Sequence, residues 1–424
     1  MLLREFIHDR LYGLPDPSKK LPGGYFIRKE HQVGRLRQPI QFSKCRGYYD
    51  FRQEMERLYP ENAWVTPCEI FKPYYSYMIS NFMLNQIEGK KIPLRVVEIG
   101  PGTGTFADSC LDFFKNYDLN MYRNCQYIFC EISPQLAEQC EKTMRKNHKQ
   151  LYDSGQIKIF NSSIMDLDKK IDGQCFVIGL EILDNMPHDR LHTAQSLGSG
   201  SDSKLFTHAS VVQRSTDENK NEVLAEVNLP IEEIQDPLID KFMEIWEAQP
   251  ELDHVTANKR LKDQGMILRI ADALNNLLTR QRVTNLNNIF APTGAIRLLQ
   301  QINKIVPNHS LILADFDSFL MPLRGGIKGM NSPMVTHKLK DPTAWNTYDS
   351  YLCARGHADI CFPTDFYFLQ HAYQHLTGKP ADIHKTKEFV DMFALESWCT
   401  TQNGYNPMRE EYFNTSFLVT KAIK

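Results

Sequence analysis

The stretch VVEIGPGTGTF (Val96 to Phe106) gathers the residue types best suited to holding a ligand. An acid, Glu98, stands two positions ahead of Gly100, and Gly102 and Gly104 follow at alternate positions where a β-branched run gives way to a helical pattern. Glycines at such a junction let the backbone turn sharply and approach a ligand with no Cβ in between. A dinucleotide fingerprint, GxGxxG, would place its third glycine at 105, and that position is Thr105. Alternate glycines behind an acid suit S-adenosylmethionine, with Glu98 directed at the methionine amino end and Gly100, Gly102, Gly104 and Thr105 lining the cofactor. Taken alone, the motif is also compatible with a purely structural strand-to-helix turn.

Three further strand ends carry polar groups. IFCEIS ends in Glu131 with Ile132 beside it, and a carboxylate there can accept both hydroxyls of a ribose. The next apolar run is followed by NSSIMD (Asn161 to Asp166), where a short polar side chain such as Asp166 can read an adenine amino group. The fourth ends in LEILDNMPHD (Leu180 to Asp189), which clusters Glu181, Asp184 and Asn185 at a lip. Acids that only cap helices and turns are the plainer alternative, but four successive strands delivering polar groups to one edge define a pocket more naturally.

The elements that must position these groups are legible as short apolar runs. Leu94 to Gly100, Gln126 to Ile132, Gln156 to Phe160 and Cys175 to Leu180 read as strands buried on both faces, as in a parallel sheet. Thr105 to Tyr117 and Ser133 to His148 have helical periodicity between them, so the order is that of a doubly wound, mostly parallel α/β fold. A further strand, SLILADF, comes only at Ser310 to Phe316, and a normal crossover is far shorter, so an insertion is expected. Two amphipathic stretches, Pro237 to Ala248 and Met266 to Leu278, predict a helical lobe there. Ser196 to Lys204 and Arg214 to Glu222 read as surface loops. Helices at Leu2 to Tyr12 and Glu69 to Glu88 predict an N-terminal helical lobe, and strands are expected at Ala358 to Phe362 and Ser416 to Ala422. The expected divisions are residues 1–92 for that lobe, 93–192 for the first part of the core, 193–292 for the insertion and 293–424 for the remainder. An insertion leaving at the carboxyl edge is placed to cover ligands, with a substrate entering near Trp64 to Phe71.

Composition narrows the class. Of 424 residues 42% are hydrophobic, enough for a substantial core, and 49 basic against 51 acidic residues give a charge of −2, against a dominant surface for nucleic acid. No run approaches the length of a membrane span. Ten cysteines without a CxxC pair suit small buried hydrophobes in a reduced interior, and the His188/His192 and His371/His375 pairs lack the adjoining Glu of a zinc motif, so no metal is expected. Residues 1–48 carry ten Lys/Arg against four Asp/Glu, but Glu5, Asp9 and Asp16 arrive too early for a clear transit peptide.

The chain resembles the MidA family of methyltransferases, whose mitochondrial branch comprises a protein arginine methyltransferase required for assembly of respiratory complex I. The resemblance rests on WVTPCEIF (Trp64 to Phe71), VEIGPGTGT (Val97 to Thr105), CEISPQLAEQ (Cys130 to Gln139) and LEILDNMP (Leu180 to Pro187). It departs from the family pattern at Thr103, Leu180 and Asn185, of which the last two bear on the substrate more than the cofactor. The resemblance implies a Rossmann-like fold, S-adenosylmethionine as cofactor, a mitochondrial location and a protein substrate, with a complex I subunit as the natural candidate.

Methyl transfer needs alignment of nucleophile, methyl carbon and sulfur rather than a metal. An arginine nucleophile also needs a carboxylate to orient it and take a proton. Glu181 is the first candidate and Asp184 its partner, with Glu69 and Asn185 expected to face the substrate. Two other readings stay open: a methyltransferase-fold subunit that binds a large assembly without turnover, and a nicotinamide-dependent oxidoreductase lacking its third glycine.

Overall fold

Four short runs rich in Val, Ile and Phe become neighbouring parallel strands, of which the one at Ile157–Phe160, expected to be buried on both faces, lies at the sheet edge and leaves Lys158 and Phe160 exposed. They are β1 (Arg95–Ile99), β2 (Gln126–Cys130), β3 (Ile157–Phe160) and β4 (Cys175–Leu180), ordered β3-β2-β1-β4. In register, Glu98 of β1 lies beside Phe129 of β2 and Ile178 of β4. Helices Thr105–Tyr117 and Pro134–Asn147 make the crossovers, as their periodicity predicts. This computed structural model describes residues 1–28, 33–61, 63–89, 92–193, 206–217, 222–249, 288–319, 327–338 and 345–420.

After β4 the chain leaves the sheet and builds a second one from β5 (Asp189–Thr193), β6 (Phe206–Thr216), β7 (Glu222–Pro230) and β8 (Asn288–Ala291), antiparallel in the order β7-β6-β5-β8. The insertion is therefore only partly helical. Helix Pro237–Glu247 forms where expected, but Arg214 to Thr216 and Glu222, read as loop, are strand ends of a hairpin. The polar character that suggested a loop belongs to strands with exposed faces. The expected loop Ser196 to Lys204 and helix Met266 to Leu278 lie outside the described residues.

Helix Thr293–Ile305 returns the chain to β9 (His309–Phe316), parallel to β4. A small antiparallel sheet follows, β10 (Met334–Lys338), β11 (Trp345–Tyr348) and β12 (Asp359–Cys361), ordered β11-β10-β12. The chain ends on β13 (Ala381–Lys385) and β14 (Thr415–Thr420), and β14 inserts antiparallel between β9 and β13. The full order, β13-β14-β9-β4-β1-β2-β3, reverses direction between β1 and β4. The crevice beyond their carboxyl ends is the natural ligand site of such a sheet.

The expected helix Glu69 to Glu88 is broken, with one turn at Pro67–Ile70 and the long helix at Tyr74–Ile87, because Pro73 has no N–H to continue the first turn. Nor do the N-terminal residues form one lobe. Phe42, Phe51, Met78 and Phe82 join the core cluster that contains Val96 and Phe129. Leu3, Phe6, Ile7 and Leu11 of helix Leu3–Tyr12 instead pack with Val212 and Phe290 of the second sheet and Ile360 of the third. Each such fully buried side chain contributes about 1.5–3 kcal/mol. Arg4 fastens that helix to the exit from the lip, pairing with Asp189 at 2.5 Å and with Asp236, while Thr293 Oγ1 donates to Asp189 at 2.7 Å.

Candidate active site

The turn after β1 is left-handed at each glycine, with φ of +66° at Gly100, +56° at Gly102 and +80° at Gly104. A Cβ costs about 1–2 kcal/mol in this region. Space sharpens the requirement differently at each. A Cβ at Gly100 would lie 2.9 Å from Ile182 Cγ2 and one at Gly104 3.0 Å from Cys140 Sγ, whereas one at Gly102 would meet nothing within 4 Å. Gly102 thus borders open space on the carboxyl side of the sheet.

Two acids flank that space. Glu98 is 3% exposed and accepts from Tyr127 Oη at 2.7 Å. Burial pushes its carboxyl up to about 8, against the Tyr127 bond, which favours the charged form. Glu131, 4% exposed, accepts from the Gly102 N–H at 3.1 Å and the Ser133 N–H at 2.8 Å, tying the glycine turn to the end of β2. Burial raises it to about 7, and the backbone donors oppose the shift. Both acids would gain from a ligand that brings positive charge or hydroxyl donors, as the amino and ribose ends of S-adenosylmethionine do. The open cradle at Gly102 and this acid pair fit that cofactor.

The lip after β4 is the strained part of the site. Glu181 has φ +54°, rare for a residue with a side chain, and its N–H donates to Ala314 O of β9 at 2.8 Å. Asp315 organises the following turn, its Oδ2 accepting from the N–H groups of Leu183 at 2.6 Å and Asp184 at 3.1 Å. Asn185 Nδ2 reaches Asp359 Oδ1 of β12 at 2.8 Å. Four carboxyls therefore converge: Glu181, Asp184, Asp315 and Asp359. Burial, then Asp315, raises Glu181 well above the carboxylate range, and burial, then Asp315, Asp359 and Glu181, does the same to Asp184. Burial raises Asp315 to about 7 and Asp359 to about 6. Among the described residues no donor holds the Glu181 carboxyl, and Asp184 Oδ1 is buried with no partner. Buried Tyr75 and half-buried Tyr59 and Tyr412 are close enough to Glu181 for its charge to raise their phenols further.

Not every expected residue faces the cleft. Glu69 is spent internally: Oε1 accepts from the Leu36 N–H at 3.1 Å and Oε2 from Thr105 Oγ1 at 2.8 Å. It clasps the N-terminal segment to the glycine turn and does not present a free carboxylate to a substrate, and the Thr105 hydroxyl is committed to the same clasp. Asp166 is exposed and caps its own turn through the Ser163 N–H at 3.2 Å. Ile132 is half-buried beside Glu131, and its carbonyl accepts from Asn161 Nδ2 at 3.4 Å. Asn185 sits in the lip with its amide bonded to Asp359.

Asp315 and Asp359 were missed. For Asp315 the signal was present, since it stands near the end of the apolar run SLILADF as Glu98 and Glu131 do near the ends of theirs, whereas Asp359 opens its strand. Tyr12 had no such signal. From the end of the first helix its hydroxyl points at Asn185 O, 3.5 Å away, in the field of Asp184, Asp359 and Glu131. None of the ten cysteines is paired. Among the described residues no group of His, Cys, Asp and Glu could hold a metal, and no helix is long and apolar enough to cross a membrane.

This sheet order, with its last strand reversed and a glycine turn between two buried acids at the switch point, defines a Rossmann-like methyltransferase. The chain belongs to the family of S-adenosyl-L-methionine-dependent methyltransferases whose pattern it matches over residues 77–384. Its cofactor is S-adenosylmethionine. It is similar to the Schizosaccharomyces pombe protein arginine methyltransferase NDUFAF7 homolog, mitochondrial, at 21% identity over 93% of this chain and 79% of that protein. Among solved structures it shares its fold with a Burkholderia thailandensis protein bound to S-adenosyl-homocysteine, at 14% identity and TM-score 0.55, covering 100% of this chain and 88% of that one. A native structure of a protein from the same organism gives 12% identity and TM-score 0.53 over the same shares.

Proposed function

We propose that this methyltransferase acts on an arginine side chain of a protein, in the mitochondrion and in connection with assembly of respiratory complex I. The observation that carries the arginine assignment is the basin of four carboxyls at the lip, those of buried Asp184, Asp315 and Asp359 and of half-buried Glu181, to which no described Lys, Arg or His contributes a charge. Such a basin asks for a cation from outside. A guanidinium suits it, with planar donors that match carboxylate oxygens and a charge that lowers the raised carboxyls as it enters. The fission yeast relative, named a mitochondrial protein arginine methyltransferase, supports the same substrate and compartment, and the MidA resemblance supports the complex I connection.

When bound, the cofactor supplies a methyl group on a positively charged sulfur. Glu98, Glu131 and the glycine turn hold it, while Glu181 and Asp184 orient the guanidinium so that one nitrogen faces the methyl carbon. With the cofactor bound, a nitrogen–carbon bond would replace its carbon–sulfur bond and the departing proton would pass to a lip carboxylate, for which Glu181, held by no other donor among the described residues, is best placed. A carboxyl raised toward neutrality is matched to that task. Alignment of this kind is worth up to about 7–11 kcal/mol of barrier.

The test is transfer of label from S-adenosylmethionine to a mitochondrial extract by wild type and by Glu181→Gln, with amino-acid analysis of the product. Labelled methylarginine from wild type alone is expected. Label in another residue refutes the arginine assignment, and no transfer by either favours a binding subunit that does not turn over.

A further inference from the structure

Lys338, the last residue of β10, is only 7% exposed, and its ammonium is enclosed by aromatic faces. Nζ lies 4.8 Å from the ring centre of Trp64, 5.1 Å from Tyr59 and 5.7 Å from Trp345. Trp345 stands directly across the β10–β11 ladder from Lys338, and Tyr59 and Trp64 come from the N-terminal segment, so the box closes between two separately built parts of the molecule. Among the described residues its outer wall is Trp345, which is 40% exposed. Three rings around one positive charge are a recognition device for cations, since each presents the negative face of its quadrupole.

The box adjoins the lip. Thr336, two residues before Lys338 on the same strand, is in register with Asp359, which holds Asn185. At about 3.4 Å per residue the box is thus roughly 7 Å along the ladder from the acid basin. Tyr59 belongs to both, forming one wall of the box while lying in the field of Glu181.

We propose that Tyr59, Trp64 and Trp345 form a second cation subsite for the protein substrate, that it takes a basic side chain near the target arginine, and that Lys338 fills it until the substrate displaces it. This rests on the cationic substrate argued above and adds a preference for dibasic sequences. Lys338 competes with the substrate from within the chain, so truncating its side chain vacates the box.

The experiment measures binding of two peptides to the protein saturated with S-adenosyl-homocysteine: one with a single arginine, the other with a lysine two residues from that arginine. Lys338→Ala is expected to bind the dibasic peptide about tenfold more tightly than wild type, with the monobasic peptide unchanged. Trp345→Ala, at a position exposed enough to tolerate truncation, should lower the dibasic preference of wild type severalfold. An unchanged ratio between the peptides in both variants overturns the subsite and leaves the arginine assignment standing. If lysine in place of the target arginine binds and reacts equally well while the ratio shifts as expected, the arginine assignment fails and the subsite stands.

Discussion

Replacing Glu131 by Gln separates what this acid does for the fold from what it does for the cofactor. Its two oxygens hold the Gly102 and Ser133 N–H groups at 3.1 and 2.8 Å. A glutamine can accept only one of these through its oxygen, and its amide nitrogen then faces the other as donor against donor. Losing one charge-assisted hydrogen bond costs about 1.5–3 kcal/mol, so stability should fall by about that amount. If Glu131 also accepts ribose hydroxyls, cofactor affinity should drop by about 1–3 kcal/mol, or roughly 5- to 150-fold. The dependence on pH is the sharper test. Burial raises Glu131 to about 7, so in the free protein the group is mostly protonated at pH 6 and must ionise to take up the ribose. Its share of wild-type affinity should therefore be about tenfold smaller at pH 6 than at pH 8, with about one proton released on binding at the lower pH. Calorimetry of S-adenosyl-homocysteine binding at pH 6, 7 and 8, in buffers of different ionisation enthalpy, reads both quantities. Glu131→Gln should lose that proton and flatten the profile. Equal slopes and equal proton release in the two proteins would refute the argument.

Glu181→Gln should slow methyl transfer at least a hundredfold and leave S-adenosyl-homocysteine affinity within a factor of two, since the role assigned to it is toward the substrate; equal turnover numbers would remove Glu181 from the reaction. Gly102→Val should fold at a cost of about 1–2 kcal/mol or more for its φ of +56°, because a Cβ there meets nothing within 4 Å, yet lose more than tenfold in cofactor affinity as the branched side chain enters the ligand's space; unchanged affinity in a folded variant would exclude the cradle. Glu69→Ala strips two donors of their acceptor and should cost about 2–4 kcal/mol in urea denaturation with kcat little changed, whereas a defect confined to substrate KM would return Glu69 to the substrate. The folded protein binds protons at Glu98, raised to about 8, and at Asp315, raised to about 7, more tightly than the unfolded chain, where both titrate near 4. Their stabilising contribution is complete at acid pH and is lost as pH rises through those values. The Tm of the cofactor-free protein should thus fall between pH 6.5 and 8.5, by the equivalent of about 1–3 kcal/mol; a Tm rising across that interval would show that other groups dominate.

Much of the polar edge of the sheet is legible in the sequence. Strands buried on both faces must be short apolar runs, and where they end the first polar side chain stands out, as Glu98, Glu131 and Glu181 do. The glycine turn was readable for the same local reason, since the φ of +56° to +80° at three alternate positions is a demand the residue type itself announces. The second sheet was not. Strands such as EVLAEVNLP, with one face in water, mix polar and apolar residues in a way that a loop or a helix end can share, and only pairing with β6 settles the matter.

Which acids are free and which are spent is a tertiary question throughout. Glu69 matched its family motif, yet its partners are Leu36 and Thr105, brought to it by the folding of separate segments. Tyr12 reaches Asn185 across 173 positions of sequence, and Lys338 meets Tyr59 and Trp64 only where the third sheet closes on the N-terminal segment. A residue's type and spacing tell which hydrogen bonds and charges it can offer. Whether a neighbour has already taken them depends on contacts between distant parts of the chain, and those exist only once the chain has closed on itself.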